Sequence, residues 1–345
     1  MAKMFEERYE QGSPCSQVST VASHCPKSAW DGILNINKPP GLTSFDVVAR
    51  VRKLIGCKRV GHAGTLDPDA TGVLLVCLGR ATRVTGILGE ARKTYRAEIV
   101  LGAATDTYDS SGAVTFTGNP FIVEQQQLER VLARFRGVIQ QVPPIYSALK
   151  FHGRPSYELA RSGVELELTS RPVCIHRLEL SSWTPPTFNL EIECGKGTYV
   201  RSLAHDIGKE LGCGAHLSGL ERTRSGPFSV ADALTIDELR AAVESGLLEN
   251  FLHPVDSALS HWPAVILQEA EARKARNGRV LELPVDQADS SAGGVTPGPV
   301  AKCRAYDADG DFIGILEFDT EMKTWHPSKV FSRYNVDNAN PCCGR

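Results

Sequence analysis

The chain lacks most of the features that mark a membrane protein, a metalloprotein or a nucleotide enzyme. No apolar run approaches the roughly 20 residues that a membrane-crossing helix requires. The opening MAKMFEERYEQGSPC has no apolar core of a secretory signal, so a cytoplasmic protein is expected. The ten cysteines are scattered without a C-x-x-C pair, and reduced thiols are the expectation. Cys15, His24 and Cys25 have no fourth partner at zinc spacing, so no metal site is expected. A Walker-type phosphate loop, a dinucleotide fingerprint and a G-x-S-x-G elbow are all missing. An excess of charge of either sign is also lacking: the net charge is −2, and residues 31–250 carry 25 Lys+Arg against 24 Asp+Glu. No global field attracts nucleic acid, so any such binding must use local patches and shape.

What the chain does have is length for two domains, with 345 residues of which 42% are hydrophobic. Its most informative stretch is Gly61 to Leu74, GHAGTLDPDATGVL. One carboxylate, Asp67, sits there in a Gly- and Thr-rich loop that runs into an apolar segment, Val73 to Leu78, read as a buried strand. Pro68 stiffens the backbone after Asp67, and a rigid loop on a buried strand is a good mount for a catalytic side chain. Leu-Asp-Pro is equally an ordinary helix start, with Asp as N-cap and Pro at the first helical position.

Residues 1–30 mix charge, Ser, Gly and Pro without periodicity and read as a disordered extension. Gly32 to Asn37 alternates as a strand, and Lys38-Pro-Pro-Gly follows as a stiff turn. Thr43 or Ser44 caps a helix whose inner face is Val47, Val48, Val51, Leu54 and Ile55, ended by Gly56. Lys93 to Leu101 is a strand, a polar turn at Asp106 to Gly112 precedes another, and Val123 to Val138 carries a helical stripe. Strands at Val173 to Leu180 and Phe188 to Cys194 lead to GKGTYVR and a helix reaching Leu211. Ile236 to Val243 is a last helix. Composition changes near residue 255, after which short strands from Val300 onward suggest a small β-rich appendage.

Other clusters stand near this loop in the chemistry they offer. Tyr95 lies on a strand, where packing is the ordinary role of a Tyr. Arg201 opens a helix, where the dipole disfavours a cation, so a buried carboxylate partner is expected; a solvated surface Arg is the plain alternative. Arg222 and Arg224 suit phosphate contacts, although exposed arginines without ligands are common. Val142 to Lys150, VPPIYSALK, reads as a binding loop or a structural crossover. A glycoside hydrolase needs two carboxylates across the bond, and Asp69 is too near Asp67 in sequence to be placed there. His62 has no evident metal partners.

Taken in order, these residues resemble the TruB-type tRNA pseudouridine synthases over residues 31–250. The motifs that carry the resemblance are NINKPPGLTSFDVVARVR, RVGHAGTLDPDATGVLLVCLGRATR, KTYRAEIVLGAATDTYDSSG, PPIYSALKFHGRPSYELAR, GTYVRSLAHDIG and GAHLSGLERTRSGPF. The resemblance implies an α+β fold: a mixed, largely antiparallel sheet with flanking helices, followed by a small PUA-like β-barrel. Composition and the resemblance together divide the chain into an extension at 1–30 that has no family counterpart, a catalytic domain at 31–254, a PUA-like RNA-binding domain at 255–335 and a flexible tail at 336–345. The resemblance implies isomerisation of uridine to pseudouridine at position 55 in the T-loop of tRNA; a cytoplasmic protein with no obligate protein partner is expected, with a monomer as the default state. Asp67 would be the nucleophile, with Tyr95 stacking on the base and Arg201 pairing with Asp67. His62, Tyr199, Leu220, Lys38, Arg222 and Arg224 would contact the substrate. Glu221 departs from the family, where an Arg is common.

Moving the ribose bond from N1 to C5 of the same uracil requires no cofactor, no metal and no external water. One carboxylate suffices if water is excluded. A non-catalytic RNA-binding or tRNA-folding protein has no need of a loop carboxylate near RNA phosphates, and an N-glycosidase would want a second carboxylate.

Overall fold

The long apolar strands assemble into one sheet. The computed structural model of the chain describes residues 30–147, 150–151, 154–156, 168–283 and 302–331. The extension at 1–29, the Cys15, His24 and Cys25 group, Cys342 and Cys343, and much of the PSYELAR motif lie outside the described residues. In chain order the elements are β1 (Gly32–Lys38), α1 (Ser44–Ile55), β2 (Val60–Ala63), β3 (Thr71–Leu78), α2 (Thr85–Glu90), β4 (Lys93–Leu101), β5 (Ala103–Thr105) and β6 (Val114–Thr117). Next come α3 (Gln125–Arg134), β7 (Gly137–Gln141), β8 (Lys150–Phe151), β9 (Arg154–Pro155), β10 (Arg171–Thr184), β11 (Thr187–Cys194), α4 (Val200–Leu211), β12 (Ala215–Ser225) and β13 (Phe228–Ser229). α5 (Ile236–Glu244), β14 (Ala264–Ile266), α6 (Glu269–Arg276), β15 (Lys302–Tyr306), β16 (Phe312–Asp319) and β17 (Thr324–Val330) complete the series.

The main sheet runs β1-β3-β12-β4-β11-β10-β7, with β2 added to β3 and β13 to β12. Every pairing is antiparallel except the short contact of β3 with β12, where Gly72 faces Arg222. Gly72 makes that contact possible: its φ is +94°, and a Cβ there would meet the Arg222 carbonyl oxygen at 2.3 Å. Period-2 alternation puts Leu74 and Val76 of β3, Leu220 and Arg222 of β12, and Tyr95 and Ala97 of β4 on one face. Two cores share that face. One packs α1 and α5 on β1 and β3 through Leu34, Val47, Val51, Leu74 and Leu239; the other packs α3 and α4 on β4 and β11 through Ile99, Leu128, Leu190 and Leu203. Tyr95 and Leu220 touch both, so they mark the seam between them.

α1 starts as its sequence requires: Thr43 and Asp46 form a reciprocal capping box, and Gly56 ends the helix at φ +70°. β1 forms where a strand is expected and is buried on both faces, because a further core lies behind it. Two expectations need correction. The helix expected over 123–138 stops at Arg134; Gly137, at φ +84°, turns the chain and Val138 belongs to β7. The C-terminal strands form a four-stranded sheet in the order β14-β15-β16-β17, which does not close into a barrel among the described residues. That sheet is no loose appendage, since Ile315 and Phe331 share a core with Ile33, Leu75 and Val84 of the main unit. No helix among the described residues is long and apolar enough to cross a membrane.

Candidate active site

Asp67 caps nothing: no helix follows Pro68, and the chain passes through a short turn, with Ala70 N donating to Asp67 O, into β3. The loop is fixed from both sides. Ser44, at the start of α1, accepts from Leu66 N at 2.9 Å and donates to Leu66 O at 3.1 Å. Lys38 is fully buried, and its Nζ donates to the carbonyls of Pro39, Pro68 and Ala70 at 2.9, 2.7 and 2.7 Å. All three ammonium protons are therefore spent on backbone carbonyls, two of them beside Asp67. Burial lowers the Lys38 pKa to about 8, against the pull of Asp69 and Asp67. The expected substrate contact by Lys38 is thus corrected: it is a clamp beneath the Asp67 loop.

Arg201 answers to Asp67. It is 6% exposed and its Nη2 lies 2.9 Å from Asp67 Oδ1. The same nitrogen donates to Tyr146 O at 3.0 Å, and Nη1 reaches Thr107 O at 3.4 Å and Asp109 Oδ2 at 3.5 Å. These partners compensate a cation in the first turn of α4, where the dipole disfavours it. Asp109 was not singled out by the sequence, although the acidic turn was visible. Its Oδ1 accepts from Thr107 Oγ1, Ser111 N and Ser111 Oγ, which leaves Oδ2 for Arg201. The VPPIYSALK stretch acts as a wall: Tyr146 O meets Arg201, and Ser202 Oγ donates to Val142 O.

Burial is the largest influence on Asp67 and raises its pKa above the ordinary carboxylate value; Arg201 opposes this and Asp109 adds to it. The carboxylate side chain keeps 41% exposure, so it is reachable from the cleft. Tyr95, half-buried, lies close enough that Asp67 opposes ionisation of its phenol, though desolvation is the larger cause of that shift. Leu220 stands one strand away, its neighbour Arg222 facing Tyr95.

Arg222 is a second correction. It is 1% exposed, and its Nε and Nη2 donate to Val73 O at 2.7 Å and Gly64 O at 2.9 Å. A guanidinium spent on buried carbonyls is not open to a phosphate; it braces the chain on each side of the Asp67 loop. Arg224 is exposed. Tyr199 lies under the Arg171 guanidinium, 5.1 Å from its ring centre, with its backbone held by Gln141. His62, on β2, meets Phe45 edge to face with ring centres 5.3 Å apart. Burial and Arg222 both lower its pKa, so it is neutral near pH 7. Glu221 pairs with Arg96 at 2.9 Å on the opposite face of the sheet.

A loop carboxylate paired with a buried Arg beside a Tyr and a Leu is the arrangement the motifs implied, and comparison with known proteins decides its family. Residues 52–200 match the profile described as TruB family pseudouridylate synthase (N terminal domain), and 201–260 that of the tRNA pseudouridylate synthase B C-terminal domain. The chain belongs to the TruB family of pseudouridine synthases. A tRNA pseudouridine synthase B of Dehalococcoides mccartyi strain CBDB1 is 47% identical over 303 residues, covering 88% of this chain and 97% of the relative. One from Pelotomaculum thermopropionicum is 47% identical over 74% of this chain and 82% of its own length. Among solved structures, an H/ACA RNP bound to a substrate RNA containing 2′-deoxyuridine contains a chain 26% identical, with TM-score 0.66 over 88% of this chain and 86% of that one. A chain of a Cbf5-Nop10-Gar1 complex is 27% identical, with TM-score 0.65, over 87% and 84%. The TruB-type enzyme is thus an isomerase with the α+β pseudouridine synthase fold.

Proposed function

We propose that the protein converts uridine 55 in the T-loop of tRNA to pseudouridine, with Asp67 as nucleophile and the flipped base resting on Tyr95. The relatives at 47% identity are named for tRNA, which supports the substrate class. The observation that carries the chemistry is the Asp67–Arg201 pair at 2.9 Å, set at the seam marked by Tyr95 and Leu220.

The reaction breaks the C1′–N1 bond, turns the uracil and forms a C1′–C5 bond; C5 loses its proton and N1 takes one up, so no atom is gained or lost. Ionised Asp67 adds to the base or the sugar to release N1. Arg201 holds that carboxylate ionised and aimed despite the surrounding apolar walls. The flipped base leaves its stack for the Tyr95 ring, with Leu220 closing the other side and excluding water. Asp109 fixes Arg201 from behind. Tyr199, Arg224 and His62 contact the RNA around the target. The enzyme acts alone in the cytoplasm, as a monomer. Residues 31–254 form the catalytic unit and 255–335 a PUA-like RNA-binding unit.

Incubating unmodified tRNA transcript with the protein and mapping pseudouridine by chemical adduct and primer extension tests this reading. A stop assigned to position 55 is expected. Modification at another uridine, or none, would overturn it.

A further inference from the structure

Two of the cations expected to contact the substrate, Lys38 and Arg222, are buried and bonded to backbone carbonyls. A chain of net charge −2 still needs a local basic surface to hold RNA. Between Asp46 and Asp67 the sequence carries five cations and no acid. All five are exposed, and four of them, Arg52, Lys53, Lys58 and Arg59, lie on the last turn of α1 and the turn into β2. None of the four makes an ion pair among the described residues. Their positive field is therefore not neutralised within the fold.

The same helix carries Phe45, a large apolar ring that is 73% exposed. Phe45 is edge-on to His62 on β2, and its neighbour Ser44 holds Leu66 beside Asp67. Arg52, seven residues after Phe45, falls on the same side of α1 and reaches Val60 O on β2. The rise from Phe45 to Lys53 is about 12 Å, a span of one to two nucleotides. An exposed aromatic followed by unpaired cations, continuous with the catalytic loop, is the pairing that single-stranded RNA binders use: a ring for an unstacked base and charges for its phosphates.

We propose that the α1–β2 corner is an RNA docking ridge, in which Phe45 stacks on a loop base splayed out beside the target uridine and Lys53, Lys58 and Arg59 take the adjoining phosphates. This rests on the reading of the protein as a tRNA T-loop enzyme, and it adds the place where the displaced part of the loop is held. Phe45 is a binding residue and takes no part in bond making.

Three proteins test it: Phe45→Ala, Phe45→Trp, and the triple variant Lys53→Gln/Lys58→Gln/Arg59→Gln, each checked for an unchanged thermal melt. Affinity for T-arm RNA is measured over a series of salt concentrations, with 2-aminopurine placed on the 3′ side of the target uridine. Phe45→Ala should bind about five- to a hundredfold more weakly, Phe45→Trp within about twofold of wild type. The 2-aminopurine signal should be quenched with wild type and Phe45→Trp but not with Phe45→Ala. The triple variant should flatten the slope of log affinity against log salt by about 2 to 3. The single-turnover rate at saturating enzyme should stay near wild type in all three. Unchanged affinity, quenching and salt slope in variants of an active enzyme would overturn the ridge. A wild-type protein that forms no pseudouridine in tRNA would overturn the proposed function instead, and the binding data would still decide the ridge.

Discussion

Asp67 and Arg201 make unequal demands on their surroundings. Arg201 is nearly enclosed and has a second carboxylate, Asp109, and two backbone carbonyls to lean on. Asp67 keeps an open side and depends on Arg201 for its charge against burial. Asp67→Asn should accordingly lower turnover by more than about a thousandfold, roughly 4 kcal/mol of transition-state stabilisation. Its tRNA affinity should change little, since the side chains are nearly isosteric. Primer extension on modified tRNA and a binding titration read the two quantities; a variant that still turns over would remove Asp67 from the chemistry. The raised Asp67 pKa carries its own sign. The working form is ionised, so the single-turnover rate should climb with pH through a value above the ordinary carboxylate range. Arg201→Met removes the group that opposes the shift, so the climb should move to still higher pH and leave a residual rate that grows toward mildly alkaline conditions. A flat profile in that variant would count against the ion pair.

At the scale of elements, the Asp67 loop is held by groups outside it. Lys38 at the end of β1 supplies three donors to the loop and the turn before α1, and Arg222 on β12 supplies two more. Lys38→Met would leave buried carbonyls unpaired and should cost about 2–4 kcal/mol of stability. Because Pro68 O and Ala70 O flank Asp67, the single-turnover rate should fall as well. Chemical denaturation and a single-turnover assay measure both, and a stable, fully active variant would refute the clamp. The Asp67 loop was readable in the sequence because glycines, a proline and one carboxylate stand together before an apolar strand. The pairing with Arg201 was readable in outline, since a cation in a first helical turn needs an explanation. Lys38 and Arg222 are not legible as clamps for a physical reason: a long side chain on a strand shows no sign in the sequence of whether its head group meets water or a carbonyl. Asp109 was missed because its turn reads as any polar loop until α4 is laid against it. The helix over 123–138 was overextended because its apolar stripe continues past Phe135, while the turn at Gly137 depends on pairing with β10.

For the whole molecule, the composition break near residue 255 suggested a separable C-terminal unit, yet the two parts share apolar packing. Val255, Ala258, Leu259, Ile315 and Phe331 belong to one core with Ile33, Leu75 and Val84. Arg80 and Arg83 donate to the carbonyls of Phe331 and Val330 at 2.6 and 2.5 Å, and Arg83 lies 5.1 Å over the Phe331 ring. Deleting residues 255–345 would strip the back of the main sheet, so such a truncation would report on folding before it reported on RNA. Phe331→Ala disturbs the same junction without removing any strand. The loss of a buried aromatic should cost about 3–5 kcal/mol and lower the melting temperature accordingly. Arg201, which pairs with Asp67, opens α4, and α4 packs on the other face of the sheet. The rate at saturating enzyme should therefore stay within about twofold of wild type, because a change worth less than about 0.4 kcal/mol at the barrier is all that distance would transmit. Affinity for full-length tRNA should fall while affinity for an isolated T-arm falls less, if β14 to β17 contact RNA beyond the T-arm. Equal losses on both substrates, with a matching fall in the single-turnover rate, would mean that the C-terminal sheet shapes the catalytic cleft itself and does not serve as a separate RNA-binding surface.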